Sequence, residues 1–404
     1  MVSSSRPFCS YYFRAVYLMK IVIAPDSFKE SLTAKQVCEC VEQGFAQVYP
    51  QAQYIHFPLA DGGEGTVEVL IQGLEGEVQH SLVAGPLERG IVDSKERAKW
   101  ALLDNGNTAL IEIAAASGLD LLAASERNPA VTTTYGTGEL ISKALDLGVN
   151  KIMLGLGGSA TNDGGAGIVQ ALGGKLLDRE GNELPKGGIA LADLDRIDLS
   201  HAHPRCHQVE FIVACDVTNP IIGVNGASEV FGPQKGASPR LVAELDRSLD
   251  RFAKAVFSIT GVDHRLSAGF GAAGGTPLEL SLLFDIQITP GIEMVLDALD
   301  ADKVLEHADL VITGEGQMDN QTLQGKTPFG IANRAKKKSI PVIGIAGSLG
   351  SDIEGLYSKI DCAFDTVSSP QSLDQALKQA SKNVAQTARN IAATLKLGAA
   401  LNNK

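Results

Sequence analysis

The chain has 404 residues, of which 44% are hydrophobic, 5% aromatic and 20% charged, and its formal net charge at pH 7 is −12. The acidic charge is spread along the sequence and no basic stripe stands out, which argues against nucleic acid as a partner and leaves a small-molecule substrate as the expectation. No apolar run approaches the roughly 20 residues that cross a bilayer, so no membrane association is predicted. At this length two domains are expected.

Six cysteines are scattered through the chain without a C-x-x-C pair. This spacing argues against a disulfide framework and a four-cysteine zinc site, so a reducing compartment and a cytoplasmic location are predicted. Residues 1–18 contain two Arg and no acid, but they lack the continuous apolar segment of a signal peptide. Because Met19 immediately precedes the first strand-like run, residues 1–18 are predicted to be an extension outside the core.

The elements near the N-terminus alternate between strand and helix. KIVIAP after Met19 predicts a short strand, and Thr33 with Gln36 three residues later is typical of a capping box at the start of a helix. QYIHFPL predicts a second strand, after which VEVLIQGL returns to helical spacing. This rhythm favours parallel β-α-β units.

The same alternation returns near the C-terminus. ADLVITGEG and IPVIGIAG predict two strands, and FGIANRAKKK between them predicts a helix with Pro328 at its first position. A last helix is predicted from about Leu373 to Leu397, where apolar residues recur at helical spacing, with Gly398 as its stop.

The two ends of the chain are predicted to form one domain, because the sequence between them is richer in charged segments that are interrupted by glycine. We predict an α/β fold with a doubly wound, mostly parallel, Rossmann- or flavodoxin-like domain made of residues 19–72 and 288–404. A second α/β domain, residues 73–287, is predicted to be inserted into it. The active site is expected in the cleft between the two domains.

The most glycine-rich stretch is GLGGSATNDGGAG, which follows an apolar run ending at Leu154. It contains G-x-G-x-x-A, and Asp178 stands about twenty residues further on, a pattern typical of dinucleotide binding. However, residues 161–165 delay the helix that such a fingerprint needs. A long turn of Gly, Ser and Thr suits phosphate oxygens in general.

Two acidic loops follow the first two predicted strands. Asp26, Ser27 and Lys29 come after the first strand, and Asp61 and Glu64 come after the second. The carboxyl ends of parallel strands meet at one edge, where open α/β sheets bind ligands. A shared binding site is therefore predicted at this edge.

Two further loops combine acidic, basic and hydroxyl side chains. GEGQMDNQTLQGKTPFG carries Glu315 at a strand end and Lys326 and Thr327 at a helix start, although it lacks the first glycine of a Walker loop. Cation, hydroxyl and carboxylate together suit phosphate or Mg²⁺. ACDVTNP supplies Asp216 and Asn219, whose oxygen-bearing side chains suit Mg²⁺ or a hydroxylated substrate.

Taken together, these stretches resemble the type I glycerate kinases, over the whole chain from Met19 to the last helix. The blocks that carry the resemblance are, in order, KIVIAPDSFKESLTA, PLADGGEGT, TTTYGTGELISKALDLG, IMLGLGGSATNDGGAG, CDVTNPI, FGPQKGA and TGEGQMDNQTLQGKTPFGIA. The resemblance implies ATP-dependent phosphorylation of D-glycerate, with Mg²⁺, on a two-domain α/β fold whose active site lies between the domains. Of the two hydroxyls of glycerate, we favour the one that gives 2-phospho-D-glycerate.

The resemblance indicates the positions of the site, and the chemistry of each residue suggests its role. The catalytic candidates are Asp26, Lys29, Asp61, Asp163 and Lys326. The ATP-binding candidates are Gly157, Gly158, Ser159, Thr161, Gly325 and Thr327. The substrate-binding candidates are Ser27, Glu64 and Asn219, and the Mg²⁺ candidates are Asp216 and Glu315. Within the catalytic set, a lysine is expected to neutralise phosphate or carboxylate, and one of the three aspartates to orient or deprotonate the acceptor hydroxyl.

Two alternatives stay open. An NAD(P)-dependent oxidoreductase acting on a small hydroxy acid predicts a helix that starts at about Gly157 and a contact from Asp178 to a ribose. A non-catalytic sugar-acid-binding regulator predicts glycerate binding without consumption of ATP, but several acidic loops are poorly suited to a protein that only binds an anion. The sequence leaves the oligomeric state open.

Overall fold

The computed structural model describes residues 18–62, 65–87, 95–323, 325–367 and 369–402. In chain order the strands are β1 (Lys20–Ile23), β2 (Gln53–His56), β3 (Glu77–Ala84), β4 (Lys95–Leu103), β5 (Thr108–Glu112), β6 (Lys151–Gly155), β7 (Lys175–Leu177), β8 (Arg196–Asp198), β9 (Glu210–Ala214), β10 (Ile286–Thr289), β11 (Leu310–Met318), β12 (Val342–Leu349) and β13 (Cys362–Asp365). The α-helices are α1 (Ala34–Phe45), α2 (Thr66–Gly73), α3 (Ala114–Ser117), α4 (Tyr135–Asp146), α5 (Ala166–Ala171), α6 (Ala227–Phe231), α7 (Pro239–Thr260), α8 (Thr276–Leu283), α9 (Gly291–Ala298), α10 (Ala301–Val304), α11 (Thr327–Lys337), α12 (Leu373–Lys378) and α13 (Ala380–Asn402).

Two sheets dominate the fold. The first has the strand order β13-β12-β11-β1-β2, and all its neighbours are parallel. The second has the order β10-β9-β6-β5-β4-β3, in which β10, β9, β6 and β5 are parallel and the β3–β4 and β4–β5 pairs are antiparallel. A small antiparallel pair joins β7 to β8. This arrangement confirms the predicted α/β class with mostly parallel sheets.

Side chains that alternate along the strands explain how the two sheets pack. In β1, Ile21 and Ile23 contact a core that also contains residues of α1 and α13, whereas Val22 points into the layer between the sheets. In β6, Met153 reaches the same middle layer, whereas Ile152 and Leu154 pack on the far face of the second sheet. Helices α2, α9 and α11 contribute to this middle layer. Both sheets therefore share one apolar core, which fixes their edges relative to each other.

The local signals near the N-terminus correspond to what the structure shows. Thr33 is the N-cap of α1, its Oγ1 accepts from the backbone N–H of Gln36 at 3.2 Å, and the Gln36 Oε1 accepts from the Thr33 N–H at 2.9 Å. The predicted capping box is thus confirmed.

Among the described residues, no helix is both long and apolar enough to cross a membrane.

The end of the chain differs from the prediction of one helix stopped by Gly398. Helix α12 ends at Lys378, Gln379 separates it from α13 with φ −101° and ψ 4°, and α13 continues past Gly398 to Asn402. A Cβ at Gly398 would meet nothing within 4 Å, so this glycine sits on an open face. Glycine in a helix interior costs only about 1 kcal/mol relative to alanine and is not an obligatory stop.

The strands of the first sheet come from the two ends of the chain, and those of the second sheet from its middle. Strand β10 crosses the predicted boundary at residue 287, because it pairs with β9 over Ile286–Thr289. The division of the chain into residues 19–72 with 288–404 and residues 73–287 stays a prediction.

Candidate active site

The loops with predicted site residues lie at the carboxyl edges of the two sheets, and two cavities open there. The first cavity, about 720 Å³, is lined by residues 26–36, residues 58–60 and part of α2. The second cavity, about 490 Å³, is lined by Asp61 and by loops that follow strands of the second sheet, residues 156–159 and 214–217. The two cavities adjoin along the chain, since Asp61 directly follows residues 58–60.

Asp26 is oriented by the N-terminus of α11. Thr327 Oγ1 donates to Asp26 Oδ2 at 2.7 Å, and the backbone N–H of Ser27 donates to Oδ1 at 2.6 Å. Burial raises the pKa of Asp26, the hydrogen bond from Thr327 opposes this, and the charge of Asp61 raises the pKa further. The carboxyl is therefore fixed in direction and binds a proton more readily than a free aspartate.

Glu315 and Lys326 form an ion pair beside Asp26. Thr322 Oγ1 donates to Glu315 Oε1 at 2.6 Å, and Lys326 Nζ lies 3.4 Å from Oε2. Burial raises the pKa of Glu315, and the charge of Asp26 contributes to the increase. Because both carboxylate oxygens have partners, Glu315 holds the Lys326 ammonium in place, whereas 32% of the Lys326 side chain stays exposed.

Asp61 links the two sheet edges. Its charge raises the pKa of Asp26 in the first sheet and of Asp216 in the second. The backbone N–H of Gly291 donates to Asp216 Oδ1 at 2.9 Å, and partial burial is the main cause of the raised pKa of Asp216. A Cβ on Gly291 would lie 2.1 Å from the Asp61 carbonyl oxygen, so only glycine allows this approach. We call Asp26, Asp61 and Asp216 the acidic junction.

We call residues 155–165 the glycine loop, and residues 156–159 of this loop line the second cavity. Gly157 and Gly158 are exposed there, and a Cβ on Gly157 would meet nothing within 4 Å. The helix that follows, α5, begins only at Ala166. Asp178 is half-buried directly after β7, where its Oδ2 accepts from Asn182 Nδ2 at 3.1 Å. A helix starting near Gly157, which the oxidoreductase alternative requires, is therefore absent from this described segment, and that alternative is wrong on this point.

Asp163 lies in the interior, away from both cavities. Its Oδ2 accepts from the N–H and the Oγ1 of Thr134, both at 2.9 Å, and from the N–H of Gly167 at 3.3 Å, while Oδ1 accepts from the N–H of Gly165 at 3.3 Å. These bonds tie the glycine loop to α5 and to the residue before α4. Contrary to the catalytic role expected from the sequence, this geometry favours a structural role, because Asp163 is fully buried and reaches no cavity wall.

Thr161 is also fully buried, and its Oγ1 has no hydrogen-bond partner within the described residues. It lines neither cavity, and its predicted role in ATP binding stays a prediction. Asn219 lines neither cavity, and its Nδ2 donates to the Asn225 carbonyl at 2.9 Å, which is a turn-stabilising contact. Glu64, a predicted substrate-binding residue, lies outside the described residues.

The other predicted residues fit the cavities better. Ser27 and Lys29 line the first cavity, and Ser159 lines the second. Gly325 has φ +93°, a conformation that favours glycine, and it lies directly before Lys326. These placements leave the individual binding roles as predictions.

Sequence reasoning assigned no role to two buried ionisable residues near the glycine loop. Lys235 donates from Nζ to Ser159 Oγ at 3.0 Å and to the Thr161 carbonyl at 2.6 Å. Burial raises the pKa of Glu279 in α8 well above its usual range, and its two oxygens have no hydrogen-bond partner within the described residues. Two sequence features could have pointed to these residues: Lys235 lies inside the block FGPQKGA, and Glu279 is a single acid in the apolar stretch PLELSLLF.

Comparisons with known proteins show the family. The sequence profile of the Glycerate kinase family matches residues 21–396. The chain is 49% identical to Glycerate 2-kinase of Escherichia coli K12 over 381 residues, which cover 94% of this chain and 99% of the relative. It is 48% identical to Glycerate kinase of Bacillus subtilis 168 over 380 residues, which cover 94% and 98% of the two chains.

A solved structure agrees with this result. The fold matches a crystal structure from Salmonella typhimurium LT2, described as a candidate glycerate kinase 2, with a TM-score of 0.85 and 50% identity over 95% of this chain and 99% of that chain. Profile, sequence relatives and structure all cover nearly the whole chain and carry the same family assignment. The chain therefore belongs to the glycerate kinase family.

Proposed function

We propose that this protein transfers the γ-phosphoryl group of ATP to the 2-hydroxyl of D-glycerate. The observation that carries the proposal is the nearly full-length similarity to Escherichia coli Glycerate 2-kinase. The geometry supports it, because the acidic junction, Lys326 and the glycine loop lie around two adjoining cavities, and phosphoryl transfer needs mainly positioning and charge neutralisation.

In the proposed reaction, the 2-hydroxyl oxygen of glycerate forms a bond to the γ-phosphorus while the bond from that phosphorus to the ADP oxygen breaks. Either Asp26 or Asp61 accepts the hydroxyl proton. Asp26 suits this role because hydrogen bonds from Thr327 and Ser27 fix its direction and burial raises its pKa. Asp61 suits it because it lies at the junction of the two sheet edges.

Phosphate binding is assigned to the cations and the loop backbone. Lys326 stands directly before the first residue of α11, where the helix N-terminus favours negative charge. Lys29 lines the first cavity and is exposed. The glycine loop adds backbone without side-chain bulk at Gly157 and Gly158, so an oxyanion can approach its N–H groups closely.

The acidic junction fits a Mg²⁺ ion that arrives with the nucleotide. The described residues include no set of three or more His, Cys, Asp or Glu side chains placed to form a complete protein metal site. Mg²⁺ usually binds one or two carboxylates together with substrate phosphates and water. Asp216 is a better Mg²⁺ candidate than Glu315, because it lines the second cavity and because burial and the charge of Asp61 both destabilise its ionised form. When bound, Mg²⁺ would neutralise charge on the phosphates.

The test is release of ADP by purified protein with Mg·ATP and D-glycerate, followed with a coupled assay. The proposal predicts ADP formation that requires D-glycerate and stops when EDTA is added. Binding of glycerate without ADP release, in a folded sample, would support the sugar-acid-binding regulator instead. Enhanced NAD(P)H fluorescence on mixing with the protein would return the oxidoreductase to consideration.

A further inference from the structure

Lys235 is almost completely buried, which is unusual for a lysine. It ends the short 3₁₀ turn Pro233–Lys235, and 2% of its surface is exposed. Its two hydrogen-bond acceptors, Ser159 Oγ and the Thr161 carbonyl, are uncharged groups. Within the described part of the chain, no carboxylate lies within 4.0 Å of its ammonium. The positive charge is thus desolvated without an ion pair.

Lys235 is one of the residues that line the second cavity, together with Gly157 and Gly158. An ammonium has three N–H donors, and Ser159 and Thr161 accept two of them. The backbone N–H groups of Gly157 and Gly158 donate to no other group in the described segments. The third ammonium donor and the two backbone donors belong to residues that line one cavity, and such donors together are suited to anionic oxygens.

The charged groups around Lys235 lie on two sides. Behind the glycine loop, Asp163 favours the charged form of Lys235, and Glu279 lies near Asp163. Asp61 and Asp216 line the second cavity together with Lys235. Burial dominates over the attraction of Asp163 and lowers the pKa of Lys235 to about 7. Asp163 therefore compensates the buried charge only in part, and an anionic ligand would stabilise the ammonium form further.

We propose that Lys235 is a ligand-binding residue whose ammonium contacts an anionic oxygen of a reactant seated against Gly157 and Gly158, either a nucleotide phosphate or the glycerate carboxylate. The inference rests on the proposed function and adds a cation to the site. A purely structural role explains the geometry less well, because two neutral acceptors and the attraction of Asp163 do not outweigh the desolvation of the charge.

The experiment compares Lys235→Met with Lys254→Met. Met has a similar length without charge, and Lys254 is an exposed lysine of α7 that pairs with Asp250 and lines neither cavity. Calorimetric titrations with D-glycerate and, separately, with Mg·ADP measure affinity, and thermal unfolding without ligand checks folding. Binding to the wild-type protein tests the proposed function, so its failure is distinguishable from a failure of the Lys235 assignment.

We expect Lys235→Met to weaken one of the two ligands by at least about tenfold, as for loss of a charge-assisted hydrogen bond, and Lys254→Met to leave both affinities unchanged. The weakened ligand identifies the group that Lys235 contacts. Equal affinities for wild type and folded Lys235→Met would overturn the assignment.

A second readout uses the wild-type protein and is independent of whether the variant folds. At pH 8 a lysine with a pKa near 7 is roughly nine-tenths neutral, so an anion that requires the ammonium binds with uptake of nearly one proton. Titrations in two buffers of different ionisation enthalpy measure this uptake. Affinity should also fall as the pH rises above 7. No proton uptake with either ligand would contradict the proposal.

Discussion

The acidic junction and the glycine loop both contain carboxylates removed from water, but the groups that surround these carboxylates differ. In the junction, burial and the charge of Asp61 both raise the pKa of Asp26 and of Asp216. In the glycine loop, burial also raises the pKa of Asp163, but no carboxylate charge adds to this increase, and hydrogen bonds from three backbone N–H groups and one hydroxyl oppose it. A carboxylate surrounded by donors holds the chain together, whereas carboxylates that repel one another are suited to bind a proton or a cation.

The largest effect on turnover is expected from Asp61→Asn, which removes the negative charge that acts on Asp26 in one sheet and on Asp216 in the other. The kcat should fall by about 10² to 10⁴-fold, a range typical for loss of a catalytic acid or base. Because the charge of Asp61 raises the pKa of Asp26 and of Asp216, the acid limb of the pH profile of any residual activity should move to lower pH. Steady-state kinetics between pH 4 and 8 measure both quantities.

The matched control for this substitution is Asp374→Asn, which changes an exposed carboxylate that pairs with Lys378 on α12. It should leave the kinetics unchanged. If Asp61→Asn had the same kcat as this control, Asp61 would have no part in the reaction.

Lys326→Met should have the next largest effect, about 10²-fold in kcat/KM, because it removes a cation from the N-terminus of α11. It also leaves Glu315 without its ion-pair partner, which should raise the pKa of Glu315 further. Lys338→Met at the other end of α11 is the control and should behave like wild type. A change confined to the free energy of unfolding would contradict a role in phosphate binding.

Asp163→Asn is expected to act on stability. One oxygen of the amide can still accept, but the NH₂ group would face N–H donors, so the free energy of unfolding should fall by about 1 to 3 kcal/mol. Urea unfolding measures this, with the exposed Asp193→Asn as the control expected to stay within about 0.5 kcal/mol of wild type. A fully stable Asp163→Asn enzyme that had lost its turnover would reverse the roles that we assign to Asp163 and the acidic junction.

The smallest effect is expected from Gly157→Ala, which tests whether a ligand approaches the backbone of the glycine loop. A Cβ at this position meets nothing within 4 Å, so the free energy of unfolding should change by less than about 1 kcal/mol. Because the methyl group would project into the second cavity, the KM of one reactant should rise about tenfold. Gly158→Ala is the contrasting variant, since its φ of +73° disfavours alanine and should lower stability as well. An unchanged KM in Gly157→Ala would show that no ligand approaches this backbone.

Local signals predicted much of the fold. The capping box at Thr33 and the strands that begin near Lys20 and Gln53 depend on residues that are close in sequence, and each is present in the structure. The shared edge of Asp26 and Asp61 followed from parallel pairing alone, because that pairing brings the ends of β1 and β2 together. The predicted end of the last helix was wrong, because Gly398 lies on an open face of α13 and a glycine there does not stop the helix.

The parts that sequence reasoning missed depend on contacts between distant segments. Lys235 meets Ser159 across 76 positions, and Asp163 meets Thr134 across 29. Nothing in either local sequence shows that Lys235 is buried beside a cavity or that donors surround Asp163. Composition and spacing therefore identified the acidic and glycine-rich loops, but only tertiary packing separates their structural carboxylate from the carboxylates of the acidic junction.

The most direct test of the central claim is ³¹P NMR of the product formed from Mg·ATP and D-glycerate, with Asp61→Asn measured in parallel. The account predicts that wild-type protein produces ADP and a phosphomonoester doublet, from a phosphate on the carbon with one hydrogen, while Asp61→Asn produces almost none. A triplet would place the phosphate on the 3-hydroxyl and contradict the proposed regiochemistry. No new phosphomonoester from folded wild-type protein would contradict the proposed function itself.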